Sequence, residues 1–233
     1  MKVALLACVA VVACAEPKVA AVTVAPLPAP SGSVAPVALP PAPTVAAFLD
    51  AGCKAQPNDA TLLDCKGAHV DGADPCTNML HVLSVSFGRR ATVAECFIEG
   101  DRHPSVRRAG CMLPMSVRLI AATRAGFVVI DSPDALAKTF GPVTSPDEAI
   151  AFAVALTGSE AIGPNDRGAQ KLGTTEAHAV GDDFHAKLFT TPRCGCHHAT
   201  VAIDYAVTRA GEVHEVDRKE VWSDPKLEGL CID

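Results

Sequence analysis

The densest group of chemically capable side chains in this sequence is Cys194-Gly195-Cys196-His197-His198, which lies between two predicted strands. Thiolates and imidazoles are the ligands that zinc and copper prefer in proteins. Cys194, Cys196, His197 and His198 are therefore a candidate metal site. Three more histidines fall on neighbouring predicted strands and could complete the shell: His178, His185 and His214. The same two cysteines are also candidates for structural disulfides, and the choice depends on the compartment in which the chain folds.

Motifs of familiar enzyme classes do not occur in the chain. His214-Glu215 is followed by Val216-Asp217-Arg218, so the second histidine of a zinc-protease motif is missing. There is no Gly-x-Ser-x-Gly elbow, phosphate-binding glycine loop or calcium loop. Four carboxylates near the C-terminus could form acid–base pairs, but their alternation favours a solvated sheet face: Asp204, Glu212, Glu215 and Asp217. No catalytic residue is predicted, and a hydrolase with an unrecognised site remains an alternative.

The first residues have the form of an export signal. Met1-Lys2 gives a positive start, and the apolar run over 3–13 is far shorter than the roughly 20 residues of a membrane-spanning helix. The run ends Val11-Val12-Ala13-Cys14, which resembles the lipobox of bacterial lipoproteins, with Val11 where Leu is usual. The resemblance implies that residues 1–13 are removed and that Cys14 carries the lipid. Ala15, in place of Asp, resembles the outer-membrane sorting rule of that family.

In a second interpretation, the chain is still exported but Cys14 is not lipidated. Ala13-Cys14-Ala15 also fits the small-x-small site of an ordinary secretory signal, with cleavage before Glu16 and a secreted or periplasmic product. Lipidation is the favoured interpretation. It makes the membrane a partner through the N-terminal anchor and places the domain in the cell envelope, where it could contact another envelope protein.

Export favours disulfides over metal for the remaining cysteines. Cys8 leaves with the signal and Cys14 takes the lipid, which leaves eight in the mature domain: Cys53, Cys65, Cys76, Cys96, Cys111, Cys194, Cys196 and Cys231. An even number in an oxidising compartment predicts a disulfide framework, although eight cysteines allow 105 pairings. The C-terminal tail has little apolar content and would fray unless tied. We predict that Cys194 and Cys196 bond one to Cys231 and one to the N-terminal half of the domain, with no cofactor; zinc or copper is the alternative.

A linker separates the signal from the domain. Residues 16–43 contain eight Pro, seven Ala and five Val in 28 positions, and proline at this density prevents both helix and sheet. We expect residues 14–43 to be a lipid-anchored, disordered linker that reaches up to roughly 85 Å as polyproline II. A globular domain follows over 44–233, with possible subdomains 44–131 and 132–233.

Hydrophobic alternation and helix-capping residues predict an α+β domain, with an antiparallel sheet, a few helices and disulfide staples, after the signal peptide and the Pro/Ala-rich linker. Strands are predicted over 61–65, 91–98, 116–122, 127–130, 175–180, 184–190, 200–208 and 212–222. A short helix is predicted over 44–51, and Ser132-Pro133 and Ser145-Pro146 each begin another. Ser145 and Glu148 form a capping box, and the helix that follows has an apolar stripe over Ile150, Ala153, Val154 and Thr157, widened by Phe152 and Leu156. Residues 74–87 are ambiguous, with helix slightly favoured.

Residues 145–222 thus have one helix followed by an antiparallel meander. This layout resembles the small PepSY-like and cystatin-like modules of exported bacterial proteins, with Ser-Pro-Asp-Glu-Ala-Ile opening the helix and Val-Thr-Arg-Ala-Gly-Glu-Val at a late hairpin. Such modules bind other molecules, inhibit enzymes or only pack against neighbouring domains. A similar order of elements without a matching site assigns none of these roles to this chain.

The formal charge of −6 disfavours nonspecific nucleic-acid binding. Residues 89–124 carry seven Arg against three acidic residues, while 131–166 carry six acidic residues against one Lys. We expect these stretches to face each other or to be solvated; a basic patch for an anionic surface is the alternative. The sequence as a whole predicts a membrane-anchored exported lipoprotein whose domain is a non-catalytic binding or structural module. A metal-binding lipoprotein is the alternative.

Overall fold

The structure is a computed structural model that describes residues 45–74, 76, 79–87, 91–100, 102–192, 194–224, 226 and 231. The predicted signal peptide, Cys14 and the linker lie outside these residues. The described strands are β1 (Lys54–Gln56), β2 (Asp59–Asp64), β3 (Met79–Val82), β4 (Thr92–Glu99), β5 (Arg107–Ala109), β6 (Met115–Thr123), β7 (Gly126–Ile130), β8 (Glu176–Val180), β9 (Asp183–Thr190), β10 (Thr200–Val207) and β11 (Val213–Trp222). The described helices are α1 (Ala46–Asp50), α2 (Pro133–Phe140), α3 (Pro146–Thr157) and α4 (Ala169–Leu172).

The strands form two antiparallel sheets. The N-terminal sheet has the order β1-β2-β3-β4-β6, and both β5 and β7 pair with the remaining edge of β6. The C-terminal sheet is a meander in the order β8-β9-β10-β11. The two sheets, the few helices and four disulfides confirm the predicted α+β class, and the strands predicted after residue 90 all occur within a few residues of their expected limits.

Two Ser-Pro pairs begin the longer helices as predicted. Ser132 Oγ accepts from the Ala135 amide at 3.1 Å, and Ser145 Oγ accepts from the Glu148 amide at 3.3 Å. The capping box differs in one respect, because the Glu148 carboxylate accepts from the backbone and hydroxyl of Thr144, one residue before the cap, both at 2.8 Å. These bonds satisfy amides that the first helical turn leaves without a partner.

Helix α3 lies in the main core. Every residue from 149 to 155 is buried, so the buried surface extends beyond the predicted stripe and also includes Ala149, Ala151 and Ala155. The helix packs against β9 and β10 and also reaches β5 of the N-terminal sheet. Its Phe152 contacts Phe87 with 5.9 Å between ring centroids. Because apolar side chains of both halves meet here, one core joins the two predicted subdomains.

A second core lies on the opposite face of the N-terminal sheet. Phe48 of α1 is fully buried there, 5.3 Å from the Phe127 ring between centroids. Leu63, Leu80 and Ile120 belong to the same cluster. Full burial of each such side chain stabilises the fold by about 1.5–3 kcal/mol, which explains how a five-residue helix is held in place.

The helix slightly favoured over residues 74–87 is wrong. Met79–Val82 forms β3, which pairs with β2 on one side and β4 on the other. Leu80 and Val82 are both buried on one face, at the spacing of a strand. Pairing on both edges therefore outweighs the local helical preference. Residues 75, 77, 78 and 88–90 lie outside the described part.

In the part of the chain that the structure describes, the helices are all too short or too polar to span a bilayer.

Candidate functional site

The predicted cysteine–histidine cluster is a junction of two disulfides. It lies in the connection between β9 and β10, where Cys194 bonds to Cys111 and Cys196 bonds to Cys231. This division, one bond to the N-terminal half and one to the tail, confirms the pairing expected for Cys194 and Cys196. All four sulfur-bearing residues are exposed. The junction therefore fastens three distant parts of the chain at one place on the surface.

The alternative interpretation of Cys194, Cys196, His197 and His198 as a metal site does not fit this arrangement. A sulfur in a disulfide is not a thiolate and cannot serve as the anionic ligand that zinc requires. The histidines also diverge: His197 is exposed with Nε2 3.5 Å from Glu220 Oε2, while His198 is buried with Nδ1 3.4 Å from the Pro192 carbonyl oxygen. Among the described residues, no group of three or more His, Cys, Asp or Glu side chains is placed to hold one ion.

The other two disulfides are structural parts of the second core. Cys53 bonds to Cys65, and Cys76 bonds to Cys96. Cys96 is fully buried. A cleft of about 260 Å³ lies beside them, lined by side chains that are mostly small and apolar, together with one carboxylate: Cys65, Ala68, Val70, Ala73, Asp74, Cys76 and Leu80.

A buried ion pair lies under α3, and the sequence did not single it out. Glu95 of β4 has a side chain only 7% exposed, and its Oε1 accepts from Arg107 Nη2 at 2.6 Å. Its Oε2 lies 3.5 Å from Nδ1 of His81, a half-exposed residue directly opposite on β3. The three side chains thus form a line from solvent into the core. The available signal was Glu95 itself, a carboxylate between Val93 and Phe97 in an otherwise apolar row.

The contacts among these three side chains shift the pKa values of Glu95 and His81. Burial acts to raise the pKa of Glu95, but the hydrogen bond from His81 and the charge and hydrogen bond of Arg107 outweigh it, so the pKa lies below its ordinary value. The hydrogen bond to Glu95 raises the pKa of His81 against the opposing effect of partial burial. Both shifts favour the charged forms of the two groups.

Arg107 also contacts the end of α3. A Cβ placed on Gly158, the C-cap residue, would lie 2.9 Å from the Arg107 guanidinium carbon, so the glycine leaves room for the cation. A positive charge at this position complements the partial negative charge of the helix C-terminus. Arg107 Nε is buried and has no hydrogen-bond partner among the described residues. The guanidinium therefore connects the N-terminal sheet to α3.

Other arginines of the basic stretch hold a loop to β6. Arg108 donates to the Ser116 hydroxyl and, at 3.1 Å, to the His103 carbonyl oxygen. Arg118 Nε donates to the Pro104 carbonyl oxygen at 2.9 Å. These contacts give Arg108 and Arg118 local partners. Arg89 and Arg90 lie outside the described residues.

The outer face of the C-terminal sheet carries the three further candidate histidines, His178, His185 and His214. His178 of β8 lies directly opposite His185 of β9, with 5.9 Å between ring centroids. His185 Nδ1 lies 3.1 Å from Asp204 Oδ2 on β10. Of the four candidate carboxylates, Asp204 and Asp217 are paired in register, Glu215 binds Arg218 through both oxygens, and Glu212 lies near His214. Asp204 and Asp217 share this outer face, as the alternation predicted, whereas the register places Glu215 opposite the buried Tyr205, on the other face of the edge strand.

No family model, curated protein or solved structure matches this chain. The lipobox and the PepSY-like or cystatin-like layout therefore remain predictions from the sequence.

Proposed function

We propose that this chain is an exported lipoprotein, anchored to the outer membrane through Cys14, whose domain is a non-catalytic binding or structural module of the cell envelope. The observation that carries the proposal is that all eight cysteines after Cys14 are paired in four disulfides. Structural disulfides on this scale are typical of proteins that fold in an oxidising compartment. The domain needs such a compartment, and the apolar run over 3–13 with Val11-Val12-Ala13-Cys14 supplies the route to it.

The anchor and the domain fit each other in this proposal. Cys14 would hold the chain at the membrane, and the Pro-rich stretch over 16–43 would carry the domain up to roughly 85 Å away. A domain on such a tether can reach a partner in the envelope while staying attached. The net charge of −6 supports a protein partner over nucleic acid.

The contacts of the polar clusters support a binding or structural role over catalysis. His81 and Glu95 join β3 to β4, and His185 and Asp204 join β9 to β10. Ser159 and Tyr205, both buried, share a hydrogen bond of 3.0 Å between their hydroxyl oxygens. In each case the polar groups link neighbouring elements of the fold. These contacts favour a rigid scaffold with its charged faces turned to solvent.

Mass spectrometry of the mature N-terminus tests the proposal. We expect the wild-type chain to begin at Cys14 and to carry a diacylglycerol thioether and an acylated amino group. Cys14→Ser should abolish the lipid, whereas Cys8→Ser, a matched change inside the signal, should leave it in place. A free N-terminus at Glu16 would reject the anchor and leave simple secretion. Thiol titration of the denatured, exported protein should find no free cysteine after residue 14.

A further inference from the structure

We propose that the outer face of the C-terminal sheet holds a site for a late divalent transition-metal ion, formed by His178 and His185 and oriented by Asp204. The ion would be Zn²⁺, Cu²⁺ or Ni²⁺, for which imidazole is a suitable ligand. The site is distinct from the disulfide junction, and it does not depend on lipidation or export.

The sheet brings the two imidazoles to one place. His178 and His185 are register partners on adjacent antiparallel strands, so both side chains leave the same face with Cβ atoms about 4.5–5.5 Å apart. Phe184 and Ala186, which flank His185 in β9, are buried on the other face, and this fixes the outward direction of His185. The ring centroids are 5.9 Å apart. Two imidazoles on one tetrahedral ion at about 2.0–2.1 Å have centroids roughly 5 Å apart, so small side-chain rotations suffice.

Asp204 lies beside the His185 ring in the way that a carboxylate often lies beside a metal-binding histidine. Its Oδ2 lies 3.1 Å from His185 Nδ1, across the β9–β10 pair. A carboxylate in this position accepts the Nδ1 proton and leaves Nε2 with a free lone pair for the ion. It also holds the ring orientation, so less rotational freedom is lost when an ion binds.

The surrounding charges permit a cation. Lys187, on the same face of β9, lies opposite Asp204 and is bound to Glu176 at 2.7 Å. Asp217 lies opposite Asp204 on the next strand and adds negative charge. His178 is exposed and the His185 side chain is 23% exposed, so water can fill the remaining coordination positions. The site thus supplies two protein ligands, consistent with the lack of any three-residue cluster among the described residues.

His214 provides a matched control on the same face. It occupies the same row across the sheet, but Ala206 separates it from His185, so it lies two strand spacings, roughly 9–10 Å, away. His214 is thus twice as far across the sheet from His185 as His178 is, and its Nε2 lies 3.7 Å from Glu212 Oε2. A change at His214 therefore removes an exposed histidine from this sheet without touching the proposed site.

Calorimetric titration of the oxidised mature chain with Cu²⁺, Zn²⁺ and Ni²⁺ salts tests the site. We expect one ion per chain, at least tenfold weaker binding in His178→Ala and His185→Gln, and about 10–100-fold weaker binding in Asp204→Asn. His214→Ala should bind as the wild type does. Copper electron paramagnetic resonance should show two imidazole nitrogens in the wild type and one in either single variant.

Two outcomes would overturn the site. One is wild-type binding no tighter than that of the His178→Ala/His185→Gln double variant. The other is an equal loss of affinity in His214→Ala, which would show unspecific binding to surface histidines. Far-UV circular dichroism and the unfolding midpoint of each variant, measured without metal, separate loss of the site from loss of the fold.

Discussion

Arg107 on β5 donates a hydrogen bond to Glu95 on β4 although β6 lies between these two strands. The guanidinium crosses the sheet over Val117 and Leu119, the β6 residues paired with Arg107 and Glu95 respectively. Both residues of β6 are fully buried, so the pair lies against the main core. A single ion pair thus joins three strands and the C-terminal end of α3.

Removing one partner of this pair should be costly. Arg107→Met leaves a buried carboxylate without its cation, and we expect a loss of about 3–5 kcal/mol in the free energy of unfolding. Arg107→Met combined with Glu95→Leu should recover most of that loss, because no buried charge is then left unpaired. The control is Arg218→Met in the exposed pair with Glu215, where we expect a loss of at most about 1 kcal/mol. Equal losses in the two single variants, measured by denaturant unfolding, would contradict the role given to Arg107.

Because of the His81–Glu95 contact, the free energy of unfolding should fall as the pH rises from slightly acidic to alkaline values. The folded-state pKa of His81 is raised, so its stabilisation is complete below the ordinary value of 6.5 and is lost as the pH rises through the folded pKa. The pKa of Glu95 is lowered, so its contribution is lost only as the pH falls through that folded value, below the ordinary 4.5. We expect unfolding free energy to decline between pH 6 and 8.5, by at most about 1 kcal/mol because His81 is half-exposed.

His81→Gln measures this effect directly. The difference in unfolding free energy between wild type and variant should be larger at pH 6 than at pH 8.5, since the imidazolium is the form that Glu95 stabilises. A difference that does not change with pH would show that His81 contributes only packing.

Two glycines in the hairpin connections of the C-terminal sheet should respond differently to substitution. Gly211, between β10 and β11, has φ +90°, and a Cβ there would lie 2.5 Å from Cε1 of buried Phe152. Gly181, between β8 and β9, has φ +62° and open space around it. Both Gly→Ala variants should lose about 1–2 kcal/mol to backbone strain. Gly211→Ala should lose about 1–3 kcal/mol more from overpacking. Equal unfolding midpoints would refute the steric role of Gly211.

The two exposed disulfides should differ in how much they stabilise the fold, according to the length of the loop that each one closes. The Cys111–Cys194 bond joins residues 83 apart and Cys196–Cys231 joins residues 35 apart. In the chain-entropy model these closures stabilise by about 4.5 and about 3.8 kcal/mol. Double alanine variants at each pair should follow that order in denaturant unfolding, because exposed cysteines add little packing. A larger loss for Cys196→Ala/Cys231→Ala would show that tying the tail matters more than closing the longer loop.

The parts of the fold that the sequence predicts well are those with a local cause. The Ser132 and Ser145 caps, the alternation of β10 and the turn at Gly211 each depend on residues a few positions apart. The connection of Cys194 and Cys196 followed from the need to tie a polar tail. By contrast, β3 is held by pairing with residues 12 or more positions away, and residues 79–82 alone do not encode that pairing.

Predicting the polar sites would have required the order and register of the strands as well as the sequence. Glu95 was visible as a carboxylate in an apolar row, but its partner lies on the short strand β5, which no pattern predicted. His178 and His185 were known to lie on neighbouring strands, yet only the register shows that they are directly opposite, with Asp204 next to one of them. The pairing of Cys53 with Cys65 and of Cys76 with Cys96 was likewise one choice among 105.

The four disulfides never interleave: the eight cysteines of the domain are bonded in consecutive pairs, the first to the second, the third to the fourth, and so on along the chain. A chain that enters an oxidising compartment from its N-terminal end can therefore close every bond with the cysteine that emerges next. No early bond must be broken to admit a later partner. We expect a thiol oxidase to complete the framework without a disulfide isomerase, and the yield of the native exported protein in cells lacking the isomerase measures this.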